Sequence, residues 1–103
     1  MAAKNPVTKA VVSPRIVTNP DIAHGRPHIA HRRIRVQDVA VWYEQMGMSV
    51  DEIADQFELT LGEIHTALAY YYDHRAEIQN DLEDDRKFVE ADKRQYDSKL
   101  EKN

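Results

Sequence analysis

Three histidines lie within eight positions of one another near the N-terminus, and imidazole is a good ligand for zinc or nickel. His24, His28 and His31 could meet at one ion if the chain brought them together. They stand among turn-forming residues, however, and not at facing positions of one helix, and the nearby carboxylate is Asp21. Polar turn or surface histidines are therefore the favoured interpretation, and we expect neither a metal nor another cofactor.

Other side chains that could act in catalysis have simpler roles. The hydroxyls of Ser13, Ser49 and Ser98 suit a loop, a helix cap and a tail better than a nucleophile. The acidic run at residues 81–85 is more typical of a solvated helix face than of a magnesium site. The chain has no cysteine, which excludes disulfides and thiolate zinc sites. We therefore expect a protein that is not an enzyme.

Charge is distributed unevenly along the chain. Residues 1–35 hold seven basic side chains against one acid, whereas residues 36–72 hold seven acids and no Lys or Arg. The N-terminal segment could bind phosphate, bind an acidic surface of a second copy, or remain an ordinary solvated arm. The candidate DNA contacts are four arginines of this segment and two threonines further along the chain: Arg26, Arg32, Arg33, Arg35, Thr60 and Thr66.

Residues 49–72 have the pattern of two short amphipathic helices in a helix-turn-helix. Ser49 with Glu52, and Thr60 with Glu63, have the spacing of a capping box, which predicts helix starts near Ser49 and Thr60. Glu58 stands in the turn, where many such motifs place a glycine for a left-handed backbone. A helical hairpin without any role in nucleic-acid binding fits the same pattern, because Glu63 would oppose phosphate at the start of the second helix.

The residues before this motif predict a short β ribbon. All four prolines lie in the first quarter of the chain, which forbids a long helix there. A two-stranded ribbon is marginal alone, so pairing with a second chain is an attractive arrangement. The β-branched pieces that predict strands are residues 11–12, 15–18, 28–30 and 34–36.

A first helix is expected over residues 37–46, with Gly47 as its stop. Three helices would then enclose a core that includes Trp42, Phe57 and Leu68. The predicted apolar face of the first helix consists of Val39, Trp42, Tyr43 and Met46.

The sequence predicts a mainly α fold, in which a three-helix, winged-helix-like helix-turn-helix domain has a short N-terminal β ribbon and a long C-terminal helix. We expect a flexible basic arm at residues 1–14, the helix-turn-helix domain at residues 15–72 and a charged helical extension at residues 73–103. No apolar stretch is long enough to cross a bilayer, and the first residues do not resemble a signal peptide. We expect a cytoplasmic homodimer that does not bind a membrane.

Several short motifs between residue 16 and about residue 72 together resemble the bacterial family called domain of unknown function 433. The resemblance implies a helix-turn-helix or winged-helix-like fold and the role of a VapB-type antitoxin, which binds and silences a toxin with a PIN-like ribonuclease domain. It also allows repression of the protein's own operon through DNA. The motifs are Pro20-Asp21-Ile22, Gly25-Arg26-Pro27-His28-Ile29, Arg33-Ile34-Arg35-Val36, Phe57-Glu58-Leu59-Thr60 and Ala67-Leu68-Ala69-Tyr70-Tyr71.

The chain departs from that family pattern in two places. Where the family reads Ile-Arg-Gly-Thr-Arg-Ile, residues 29–34 replace an Arg, a Gly and a Thr, while Arg33 remains. The family often has a proline after the aromatic residue that corresponds to Phe57, whereas Glu58 follows here.

The charged extension lies outside the resemblance. Its thin apolar stripe suits either a solvated helix or a helix that docks on a partner, and its acids would suit the basic RNA-binding cleft of a ribonuclease toxin. The acidic helices favour the alternative function, a protein-interaction or dimerisation module without DNA binding. The candidate partner-binding residues are Ile78, Leu82, Phe88, Val89 and Tyr96.

Overall fold

The structure is a computed structural model that describes residues 13–101, with side chains for residues 13–94. The described chain is mainly helical, with a small antiparallel ribbon near its N-terminal end, as the sequence predicts. The predicted strand at 11–12 and most of the predicted basic arm lie outside the described residues. The elements are β1 (Ile16–Val17), a 3-10 turn (Ala23–Gly25), β2 (His28–Ile29), α1 (Val36–Ala40), a π-helical turn (Val41–Gln45), α2 (Val50–Phe57), α3 (Leu61–Asp73) and α4 (Arg75–Glu101).

The ribbon is formed within one chain. β1 runs antiparallel to β2, with Ile16 opposite Ile29. β2 then turns back on itself, since the Ile29 amide donates to the Ile34 carbonyl at 3.0 Å and His28 bridges to Arg35. The predicted strand pieces within the described residues therefore pair inside their own chain. Residues 30–33 form the tip of a hairpin, which we call the hairpin tip.

The first helix begins as predicted but changes its pitch after Ala40. The Met46 amide donates to the Val41 carbonyl at 2.9 Å, which is the i→i+5 bond of a π-helical turn. The wider turn rotates the following side chains relative to a regular α-helix. The prediction that Tyr43 and Met46 belong to the buried face is therefore wrong, because their side chains are 37% and 62% exposed.

The two capping boxes form as predicted and place α2 and α3 around a three-residue turn. The Ser49 hydroxyl accepts from the Glu52 amide at 3.0 Å, and the Thr60 hydroxyl accepts from the Glu63 amide at 3.0 Å. Glu58 takes the left-handed conformation with φ 56° and ψ 45°. The side chain of a glutamate thus occupies the position for which a glycine would be the least strained residue.

The core lies between α1, α2 and α3, and is extended by the start of α4. Leu68 is buried as predicted, whereas Trp42 and Phe57 are only partly buried and pack against the core from its edge. Their rings stack at 3.7 Å between centroids with an interplanar angle of 6°. The buried apolar residues include Val39, Ile53, Ile64, Tyr71 and Ile78.

The charged extension forms the long helix that its sequence predicts, but its first two turns belong to the core. The helix breaks from α3 at His74, where the backbone has φ −128° and ψ 40°. Ile78 is then fully buried and Leu82 is half-buried against the core. Packing thus crosses the predicted domain boundary after Tyr72. Within the described range, no helix combines the length and apolarity needed to cross a lipid bilayer.

Candidate functional site

Arg26, a predicted DNA contact, instead joins the N-terminal loop to α4. Its guanidinium donates to Gln37 at 2.7 Å and to Asp85 at 3.0 Å. Gln37 is buried and donates in turn to the second Asp85 oxygen at 2.8 Å. Burial acts to raise the pKa of Asp85, but the Gln37 hydrogen bond and the charges of Arg26 and Arg35 outweigh it, so the pKa lies below its usual range.

Arg35 is engaged in the same way at the start of α1. Its side chain forms an ion pair with Asp38 at 2.9 Å and lies 3.6 Å from Asp85. Asp38 also accepts from the Arg35 amide at 2.9 Å and so caps α1. Each of these two guanidinium groups already has an anionic partner. Arg26 and Arg35 can therefore bind phosphate only if the phosphate displaces carboxylates of the same chain.

Arg32 connects the hairpin tip to the first turn of α3. Its Nε and a terminal nitrogen donate to the two oxygens of Glu63 at 2.9 and 3.0 Å, a bidentate pair. Burial acts to raise the pKa of Glu63, but the hydrogen bonds from Arg32 and the Thr60 amide lower it by more. The pKa of Glu63 therefore lies below its usual range. Glu63, which was expected to repel phosphate, is thus neutralised by Arg32.

The two threonines named as DNA contacts have different surroundings. The Thr60 hydroxyl accepts the capping bond at the start of α3, although the residue is exposed. Thr66 is half-buried on the middle of α3. The structure contradicts neither threonine as a DNA contact, but the Thr60 hydroxyl already caps α3.

Arg33 and Arg15 differ from these arginines because both are exposed and no carboxylate among residues 13–94 lies within ion-pairing distance of either. The carbonyl of Arg15 accepts from the Ala30 amide at 2.9 Å, which places Arg15 beside the hairpin tip. The sequence did not identify Arg15 as a candidate DNA contact, because only the pairing of the strands brings it beside the hairpin tip. The hint available in the sequence was its place directly before the strand at Ile16.

Two clefts flank the hairpin tip. One, of about 310 Å³, is lined by residues that include Arg15, His31, Arg32, Thr60 and Glu63. The other, of about 530 Å³, is lined by residues that include Asp21, His24, Arg33, Arg35 and Asp38. The tip therefore stands between two grooves that both contain arginine.

The three histidines are not brought together around one ion. His24 and His31 are exposed, while His28 is buried with its ring 3.1 Å from the Arg26 carbonyl. In the part of the chain that the structure describes, no group of three or more His, Asp or Glu residues is placed to hold a metal ion.

The candidate partner-binding residues divide along α4. Ile78 is not available to a partner, since it is fully buried in the core, and Leu82 is half-buried there. Phe88 and Val89 are 75% and 62% exposed on the part of the helix beyond the core. Tyr96 lies further along the same helix, and its side chain is outside the described residues.

A model of a protein family described as "Protein of unknown function (DUF433)" matches residues 16–71, more than half of the chain. The chain belongs to this family. The DUF433 range contains the hairpin tip and the helix-turn-helix, whereas Arg15 and α4 lie outside it. No curated protein and no solved structure matches the chain. The left-handed His31, with φ 68°, occupies the position where the DUF433 pattern described above has glycine.

Proposed function

We propose that this protein is a cytoplasmic, antitoxin-like binding protein that holds a PIN-like ribonuclease and is not itself an enzyme. Membership of the DUF433 family supports the proposal, through the antitoxin role that the resemblance implies. The structural observation that carries it is the part of α4 beyond the core, where Phe88 and Val89 stay exposed. Large exposed apolar side chains on a helix are typical of a surface that a partner covers.

Charge on α4 also suits such a partner. Asp84, Glu90 and Asp92 are exposed near the two apolar residues, whereas Asp81 and Asp85 are paired with Arg26 of the same chain. Four basic residues share this stretch: Arg86, Lys87, Lys93 and Arg94. A ribonuclease needs a basic cleft for its RNA, and carboxylates can occupy the phosphate positions of that cleft. In this arrangement Phe88 and Val89 supply the buried contact and the acids supply the orientation.

The test is co-expression with the product of the adjacent reading frame. Phe88→Ser with Val89→Ser should abolish co-purification and restore ribonuclease activity, because it removes the apolar contact without touching the core. Met46→Ser is the matched control, since Met46 and Val89 are both 62% exposed. Retention of the partner by the double variant, or equal loss in the Met46 control, would remove α4 from the docking role.

A second candidate function is binding to operator DNA, favoured by the helix-turn-helix beside Arg15 and Arg33. The opposing alternative, an interaction or dimerisation module without DNA binding, is supported by the ion pairs of Arg26, Arg32 and Arg35 with carboxylates of the same chain. A mobility-shift assay on the DNA upstream of the protein's own reading frame separates these two. A shift that weakens with salt supports the operator function, and its absence at low salt supports the alternative.

A further inference from the structure

We propose that the hairpin tip and Arg15 form a ridge that binds the phosphates of double-stranded DNA beside α3. This inference rests on the second candidate function, operator binding, and names the residues that would perform it. Of the predicted arginine contacts it keeps Arg33 and leaves out Arg26 and Arg35, and it adds Arg15 as a second phosphate contact. Arg32 becomes a positioning residue in the same ridge.

The hairpin tip has a defined shape and a defined position. The Arg32 amide donates to the Ile29 carbonyl at 2.9 Å, and His31 adopts a left-handed backbone with φ 68°, which together close the turn. The bidentate pair between Arg32 and Glu63 then holds the tip against the first turn of α3. A ridge held in place before binding loses less conformational entropy when phosphate binds.

Two guanidinium groups lie on this ridge without an anionic partner among residues 13–94. Arg33 belongs to the tip itself, and Arg15 is held next to Ala30 by the ribbon. Each lines a different cleft, so the two groups flank the tip. Guanidinium groups bind phosphate through paired, planar hydrogen bonds, which makes arginine well suited to the DNA backbone.

The second helix of the helix-turn-helix, α3, presents less negative charge than its sequence indicates. Glu63 is the one acid among residues 61–72, and Arg32 neutralises it. The exposed residues of α3 over this stretch, Leu61, His65 and Ala69 among them, carry no acidic group. A helix of this kind can approach base edges in the major groove while an adjoining hairpin contacts the backbone, so the ridge and α3 together fit double-stranded DNA.

Besides Glu63 and Asp38, which are paired with arginines, two carboxylates border the ridge and must weaken its attraction for phosphate. Asp21 lines the same cleft as Arg33, and Glu58 acts on the charge of Arg32 from the turn before α3. DNA binding through the ridge should therefore be modest at physiological salt and should strengthen when Glu58 is neutralised.

The experiment measures fluorescence anisotropy of a labelled, mixed-sequence DNA duplex between about 50 and about 200 mM salt, because phosphate contacts do not depend on sequence. Arg15→Gln with Arg33→Gln should lower the slope of log affinity against log salt by about 2, since each lost contact contributes about 0.9. Lys87→Gln with Lys93→Gln is the charge-matched control on α4, where both lysines are exposed. The control should keep the wild-type slope.

Glu58→Gln provides a change in the opposite direction and should raise the affinity. The inference is overturned by an unchanged slope in the double arginine variant, by an equal loss in the lysine control, or by a wild type that does not bind at the lowest salt. Equal thermal midpoints for all variants show that the fold is kept. Capture of the ribonuclease by the double arginine variant should be unaffected, so failure of the ridge and failure of the proposed partner binding are told apart.

Discussion

Glu58 introduces backbone strain into the turn of the helix-turn-helix, where a glycine would adopt the same conformation without that strain. Its backbone is left-handed, a conformation that costs a residue with a Cβ atom about 1–2 kcal/mol. The Glu58 side chain is exposed, so packing does not compensate for that cost.

Glu58→Gly should therefore raise the free energy of unfolding by about 1 kcal/mol. Glu58→Ala is the control, since it removes the same carboxylate but keeps the Cβ atom in the left-handed conformation. Urea unfolding measures both. Equal stability of the two variants would show that charge, and not backbone strain, governs this position.

Glu63 has two structural roles, because it completes the capping box of α3 and forms an ion pair with Arg32. Glu63→Gln should lower the free energy of unfolding by about 1–2 kcal/mol at neutral pH, through loss of the charge-assisted hydrogen bonds.

The pH dependence of that loss has a definite sign. The pKa of Glu63 is lower in the folded protein than in the unfolded chain, so its stabilising effect is complete above the unfolded pKa and disappears as pH falls through the folded pKa. Stability measured by urea unfolding below about pH 5 should thus fall less steeply for Glu63→Gln than for the wild type. A parallel decline in both proteins would contradict the role assigned to this pair.

At the scale of elements, α4 is both a core helix and a projecting helix. Its first turns bury Ile78, and two of its carboxylates, Asp81 and Asp85, lie 3.7 and 3.0 Å from Arg26. The part beyond these contacts carries the exposed Phe88 and Val89. A chain that ends after Tyr72 would lose the core contacts and the ion pairs together, and should not keep the native fold.

Ile78→Ala should accordingly cost about 2–5 kcal/mol of unfolding free energy, as expected for a fully buried aliphatic side chain. Val89→Ala, on the exposed part of the same helix, should cost less than about 0.5 kcal/mol. Thermal or urea unfolding of the two variants gives the comparison. Similar small losses at both positions would mean that α4 does not pack on the domain.

For the whole molecule, the described strands between residues 16 and 35 pair within one chain, so this ribbon does not need a second chain to form. Exposed apolar side chains remain on several elements, and such surfaces favour association. They are Tyr43, Met46, Leu61, Tyr72, Phe88 and Val89.

We expect a homodimer, which sedimentation equilibrium at micromolar concentration should detect as twice the chain mass of 12.0 kDa. Serine at Tyr43 or at Tyr72, two other exposed apolar positions, would locate the interface by shifting the equilibrium toward monomer. A single species at the mass of one chain over the whole concentration range would refute the prediction.

Local interactions were open to prediction from the sequence alone. The capping boxes at Ser49 and Thr60 join residues three positions apart, and the periodic apolar positions of α2, α3 and α4 depend only on helical geometry. The turn at Glu58 is also local, and the sequence indicated a left-handed backbone there because many such motifs have a glycine at this position.

Which charged side chains form ion pairs depends on tertiary packing and not on local sequence. Arg26 pairs with Asp85 across 59 positions and Arg32 with Glu63 across 31, distances in sequence at which no local pattern exists. The π-helical turn that exposes Met46, and the burial of Ile78, likewise follow from how the helices pack against one another. The sequence shows that positive charge is concentrated before residue 36. Folding determines which of these arginines pair with carboxylates of the same chain, because ion pairing depends on distance in space. Arg15 and Arg33 remain exposed.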